Sequence, residues 1–216
     1  TMQRFPIYEP MTVFTDILIM IFGLWFAREI QMWFNVRLME VHWHYANYFY
    51  IVAFTAFTGA LYHAIYPEHE IIRDFIWKLT MLGMGFTVLT MLLGTLYYFL
   101  PFDTVQWVKW LIVFTIFAFT IWINFNPDLI NAVKLYLPSA LFIIGVMTYG
   151  WLWKGDHGAM WVLLGFMVTI GGASFTITKL GFHKHFNHND IFHVIQISGM
   201  YFIYRGIMMI TNYGYK

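Results

Sequence analysis

Apolar residues fill the chain in long runs separated by short polar or turn-forming breaks, a pattern that predicts membrane-length α-helices. The runs cover roughly 12–33, 41–66, 75–100, 105–125, 132–153, 159–180 and 190–212, each about the length a bilayer requires. Between them lie Asn35 to Glu40, Pro67 to Asp74, Pro101 to Asp103, Asn126 to Asp128, Lys154 to His157 and His183 to Asn189. The expected fold is therefore all-α, a single bundle of seven transmembrane helices over residues 1–216. Asp103 and Asp190 stand where helix N-caps are useful, and Pro138 lies early in the fifth run. The first run, followed by six more and by no small-residue cleavage pattern, is expected to be a mature helix rather than a signal peptide.

Composition strengthens this reading: 60% of residues are apolar and 11% charged, too little charge to cover a water-soluble surface of this size. Membrane lipid is thus the expected partner. Aromatic residues make up 22% of the chain, and Trp33, Trp43, Trp77, Tyr97, Tyr98, Trp107 and Trp153 fall near run ends, where amphipathic rings settle at headgroup depth. A formal net charge of +1 gives no footing for nucleic acid. The absence of cysteine excludes disulfides and thiolate metal sites. Gly145, Gly150, Gly165, Gly171 and Gly172 are expected at close helix approaches.

If the helices alternate in direction, the starts of odd runs and the ends of even runs share one face, here called the front. Arg4, Arg73, Lys78, Lys134, Lys179 and Lys184 lie in front, against Arg28, Arg37, Lys109, Lys154, Arg205 and Lys216 behind. This even split leaves orientation open under the positive-inside rule.

Ionisable residues inside spans are costly and require a partner, a cavity or a function. Asp16, His63, Asp190 and His193 all fall near the front face by topology alone. Asp190 and His193 are three apart and Asn189 and His193 four apart, so each pair can share a helix side, a stripe that Gln196 and Met200 continue. Imidazole and carboxylate from two helices suit Zn²⁺, with an open position for a water that attacks a carbonyl. Simpler accounts stand beside this one. Asp190 can serve as an N-cap, Asp16 can pair with Lys78 or Lys179, and an interfacial His can simply bond water. His183, His185 and His188, with Lys184, read as a solvated loop. His42 and His44 read as interfacial residues of the back face, badly placed for a haem pair.

The segments Gly59-Ala-Leu-Tyr-His63, Phe75-Ile-Trp-Lys-Leu-Thr80 and Asn189-Asp-Ile-Phe-His193-Val-Ile resemble motifs of the CREST superfamily of seven-helix membrane proteins. That superfamily includes alkaline ceramidases, the progestin and adipoQ receptors and the hemolysin III group. The resemblance implies a zinc site in which His63 is the helix 2 ligand and His193 the second helix 7 ligand. Three positions depart from the pattern: Gly59 replaces a Ser, Thr80 an Asp and Asn189 a His. Either a neighbouring carboxylate supplies the missing ligand or the site no longer works as it does in that superfamily; the expected set is His63, Asp190 and His193, with Asp16 as the alternative. An Asp ligand makes the metal centre more anionic and its water less acidic than an all-His set. The implied function is metal-dependent hydrolysis of a lipid amide or ester, with Asp190 or Asp16 handling protons and Asn189, Thr80, Gln196 and Lys78 as further site positions. The alternative is a non-catalytic lipid-binding, receptor-like or structural protein of the same fold.

Overall fold

A computed structural model describes residues 7–179, 181 and 186–210, and among them the regular elements are seven α-helices. These are α1 (Pro10–Arg37), α2 (Glu40–Ala64), α3 (Glu70–Phe99), α4 (Phe102–Phe125), α5 (Leu129–Lys154), α6 (His157–Thr178) and α7 (His188–Met209). Each apolar run thus becomes a helix; α1, α3, α4 and α5 gain length from their polar flanks, while α2, α6 and α7 are no longer than their runs. Five of them, α1, α3, α4, α5 and α6, are long and apolar enough to cross a bilayer. Polar residues dilute the other two: α2 carries His42, His44, Asn47 and His63, and α7 carries Asn189, Asp190, His193, Gln196 and Arg205.

The helix ends follow local chemistry. Pro10 opens α1 at the position where its missing N–H costs nothing. Gly155 closes α5 in the left-handed region at φ 66°, which glycine enters without steric penalty. Asp156 caps α6, accepting from Gly158 N at 2.8 Å and Ala159 N at 3.4 Å. Two expected caps differ. Asp103 sits in the first turn of α4 behind the capping Pro101, and Asp190 is the third residue of α7, whose cap is Asn187. Pro138 lies inside a continuous α5.

Neighbour relations close a ring: α1 packs on α2, α2 on α3, α3 on α5, α5 on α6, α6 on α7 and α7 on α1. Helix α4 lies outside it on α3, joined by a small cluster of Met81 with Phe119 and Ile123, to which Ala132 of α5 adds. The ring interior holds Phe26, Tyr45, Phe49, Met91, Met147, Phe166, Met200 and Ile203, all less than 3% exposed. Burial of such side chains stabilises each by about 1.5–3 kcal/mol relative to exposure to water.

The tightest seam is α6 against α7. A β-carbon on Gly165 would meet the Gly199 carbonyl at 2.6 Å, and one on Gly206 would meet the Gly158 carbonyl at 2.6 Å. The seven-residue spacing of Gly158 and Gly165, matched by Gly199 and Gly206, lets the two backbones touch. Gly150 and Gly172 also lie at close approaches, against Tyr98 and Ile195. Gly145 and Gly171, expected to do the same, face open space, with no atom within 4 Å of an added β-carbon.

Candidate functional site

Four helix ends meet at the front: the starts of α1, α3 and α7 and the end of α2. The last carbonyls of a helix lack intrahelical donors. Those of α2 are satisfied by the chain entering α1, with Tyr8 N donating to Ala64 O at 3.2 Å and Glu9 N to His63 O at 3.0 Å. Arg73 of α3 donates to the carbonyls of Tyr62, at 3.2 Å, and of Ile65. Its guanidinium lies 4.2 Å from the Tyr62 ring centre. A cation against the negative end of a helix dipole is favourable, as is its stacking on an aromatic face.

His63 Nδ1 donates to the Glu9 carboxylate. That bond, helped by the electrostatic influence of His63, Arg73 and His188, holds the Glu9 carboxyl below the usual range, although its partial burial opposes the shift. Glu9 itself has no signal in the sequence, because its partner lies 54 positions away.

Helix α7 enters through a capping box. Asn187 Oδ1 accepts from the backbone of Asn189 and Asp190, while Asp190 Oδ2 accepts from Asn187 N at 2.7 Å. Asn187 Nδ2 also reaches Thr12 Oγ1 on α1 at 3.4 Å. One turn deeper, His193 Nδ1 stands 2.9 Å from Thr15 Oγ1, and the Thr15 hydroxyl donates to Thr12 O at 3.0 Å. A hydroxyl has one proton, so the shared bond takes its proton from His193 Nδ1. In the neutral ring Nε2 is then bare, 3.6 Å from Asp16 Oδ1. Asp16 is 5% exposed and Asp190 fully buried. One oxygen of each, Asp16 Oδ2 and Asp190 Oδ1, has no hydrogen-bond partner among the described residues.

The residues singled out from sequence separate into two groups. His63, His193, Asp16 and Asp190 share the front end, and Asp16 rather than Asp190 is the carboxylate beside His193. Asp190 is diverted because a carboxylate three residues after a cap reaches back to the cap's N–H. Asp16 pairs with neither Lys78 nor Lys179. Lys78 bonds Asp74 one turn away at 2.8 Å, and Lys179 is exposed at the end of α6. Thr80 is buried against α2, donating to Thr58 Oγ1 at 3.0 Å, one residue from Gly59. Asn189 and Gln196 are half-buried on α7. His188 is the first residue of α7 rather than part of a free loop, while His183, Lys184 and His185 lie outside the described residues.

At the back end, His42 is fully buried instead of interfacial. Its Nε2 donates to the Ile207 carbonyl at 3.0 Å, tying α2 to α7. His44 stacks on Tyr97 with ring centres 5.1 Å apart. Tyr98 is likewise internal, donating to Asp156 at 3.1 Å.

Among the described residues, no three His, Asp or Glu side chains are gathered into a group that could hold a metal as they stand. The expected trio of His63, Asp190 and His193 is therefore not assembled. The donors that fit best are His63, His193 and Asp16. Each imidazole has its Nδ1 engaged, leaving Nε2 as the open donor, and Asp16 Oδ2 is a buried oxygen lacking a partner. Metal-bound histidines typically carry such an anchor on the other nitrogen. With bonds of about 2.0–2.2 Å, two ligand atoms of a tetrahedral zinc shell stand roughly 3.4 Å apart, close to the His193 to Asp16 separation.

The described residues form a ring of helices that gathers buried carboxylates and imidazoles of α1, α2 and α7 at its front end, and that defines the class: an all-helical bundle with a polar, titratable front pole. The chain belongs to DUF6962, a family of unknown function whose sequence profile matches residues 11–212. No curated protein matches it significantly.

Proposed function

We propose that this chain is a seven-span integral membrane protein that binds one divalent metal, zinc by donor chemistry, through His63, His193 and Asp16, and hydrolyses a lipid amide or ester near the front membrane surface. The observation that carries this reading is the paired anchoring of the two imidazoles, Nδ1 to Glu9 and Nδ1 to Thr15, with the Asp16 carboxylate beside the free nitrogen of His193. The likeness of three short segments to CREST motifs supports it, as do the five helices apolar enough to span. On this account α2 and α7 also span, turning their polar side chains inward except Arg205, which is exposed towards the back end.

When bound, zinc supplies Lewis-acid polarisation of a carbonyl. The rest is done by the chain. Thr15 and Glu9 hold the two rings, and the capping box fixes Asp190, whose other oxygen is buried without a hydrogen-bond partner among the described residues, as the group that handles protons. Below the polar group, an apolar groove of about 410 Å³ runs between α1 and α7, lined by Phe22, Trp25, Phe26, Ile197 and Tyr201. Ile197 is one helical turn beyond His193, so an acyl chain in the groove brings its headgroup to the polar end.

The test is elemental analysis of detergent-purified protein, followed by a chelator-controlled assay on a panel of lipid amides and esters. About one zinc per chain is expected, lost in His63→Ala, His193→Ala and Asp16→Asn and kept in Asp190→Asn. Metal-free wild type with no turnover overturns the proposal.

One observation favours a second reading, a non-catalytic lipid-binding, receptor-like or structural protein: the candidate donors are not gathered as a group. On that reading the Thr15, His193 and Asp16 contacts serve to lock α7 onto α1. His193→Ala then lowers thermal stability without altering metal content.

A further inference from the structure

We propose that Glu9, just outside α1, is the positioning residue that sets which nitrogen of His63 faces the site, so that the chain entering α1 completes the polar pole. This inference rests on the metal-binding reading above and adds a residue to it.

Glu9 grips one residue at two points. Its backbone N–H donates to the His63 carbonyl at 3.0 Å, and its carboxylate accepts from His63 Nδ1. The backbone bond places the side chain before it acts, and Tyr8 N to Ala64 O at 3.2 Å extends the same seam by a residue. Pro10 follows directly and limits the backbone freedom of the helix start. From the other side, Arg73 fixes the end of α2 by donating to the Tyr62 and Ile65 carbonyls. Tyr62 in turn meets the His63 ring edge-on, with centres 5.3 Å apart.

An imidazole at a helix end can turn over about its Cβ–Cγ bond, exchanging Nδ1 with Cδ2 and Nε2 with Cε1, and the neutral ring can carry its proton on either nitrogen, so which nitrogen meets a neighbour is open. A carboxylate against one nitrogen removes that choice. It keeps the proton on Nδ1 and leaves Nε2, on the far side of the ring, as a lone-pair donor. It also makes the imidazole a stronger donor, as outer carboxylates do for metal-bound histidines. His63 lies one helical turn beyond Gly59, over which Asp16 packs, and Asp16 stands 3.6 Å from His193 Nε2, so the orientation of the free His63 nitrogen bears on whether the two rings can share a ligand.

The experiment uses the full-length protein in detergent, with Glu9→Ala and Glu9→Gln beside His63→Ala. Zinc affinity is measured by competition with a chromophoric chelator, and the protonation of His63 by nitrogen NMR of histidine-labelled, metal-free protein. Wild type is expected to show a protonated Nδ1 on His63. Glu9→Ala should lose that signature and weaken zinc binding roughly ten- to a hundredfold, with stoichiometry near one. Glu9→Gln, whose amide oxygen still accepts from Nδ1, should retain the signature and lose less affinity. It also serves as the folded comparison if Glu9→Ala expresses poorly. An unchanged His63 signal in Glu9→Ala overturns the positioning role even if zinc binds. Wild type without zinc overturns the metal reading, yet the NMR comparison still decides what Glu9 does.

Discussion

Asp16 and Gly59 touch across the α1–α2 seam: a β-carbon at position 59 would stand 3.3 Å from Asp16 Oδ2. The position that the CREST likeness assigns to a serine is thus bare of side chain, and a carboxylate from α1 lies over it. Gly59→Ala should change stability by no more than about 1 kcal/mol, because the helix-propensity gain opposes a tight contact. Gly59→Leu should push Asp16 away from His193, cost about 1–3 kcal/mol through overpacking, and abolish zinc uptake. Thermal unfolding and metal content of the two variants check this. A Leu variant indistinguishable from wild type in both would show that the contact is incidental.

The α6–α7 seam supports a second prediction. Gly165→Ala must displace both Ile203 and the Gly199 backbone and should destabilise by about 1–3 kcal/mol. Gly171→Ala, six residues away on the same helix and facing open space, should be neutral or stabilise by up to about 1 kcal/mol. The two melting temperatures, measured side by side, should move apart.

At the back end, Asp156 both caps α6 and accepts from Tyr98. Asp156→Ala removes a buried cap and should cost about 0.5–2 kcal/mol. Tyr98→Phe removes one bond and leaves the cap intact, so a loss near 1 kcal/mol is expected. Metal content should be unaffected in both, since neither residue lies at the front. Zinc loss in either variant would mean that the two poles are coupled.

The Glu9 to His63 pair predicts a pH dependence. Because the folded Glu9 carboxyl sits below its ordinary value, chiefly through the His63 bond, the folded state holds fewer protons than the unfolded one in that window. Its contribution is fully present above the unfolded value of about 4.3 and is lost as pH falls through the lower folded value. Glu9→Gln should flatten this part of the acid limb in a stability profile recorded by differential scanning fluorimetry. If the profiles superimpose below pH 5, the pair contributes nothing to acid sensitivity.

The helices themselves were legible because long apolar runs broken by Pro, Asn, Asp and Gly admit few other solutions in a bilayer or a bundle core. Front-face clustering of Asp16, His63, Asp190 and His193 followed from alternation alone. The division of labour among them did not. Periodicity places Asp190 beside His193, but it does not register that an Asn cap three residues earlier claims the Asp190 carboxylate. Thr15 and Glu9 look like ordinary residues until partners 178 and 54 positions away are brought to them. His42 reads as interfacial by its place near a run end, and becomes internal only because the Ile207 carbonyl lies opposite.

Local rules of hydropathy, capping and spacing therefore determined the number of helices, their approximate limits and the pole at which the ionisable groups collect. Tertiary structure alone decided the closed order of the ring, the exile of α4 and the choice of Asp16 over Asp190 as the neighbour of His193. The reason is physical: a helix specifies which side chains share its own face, while the identity of the facing surface depends on how backbones approach, and here glycines at 59, 165 and 199 set those approaches.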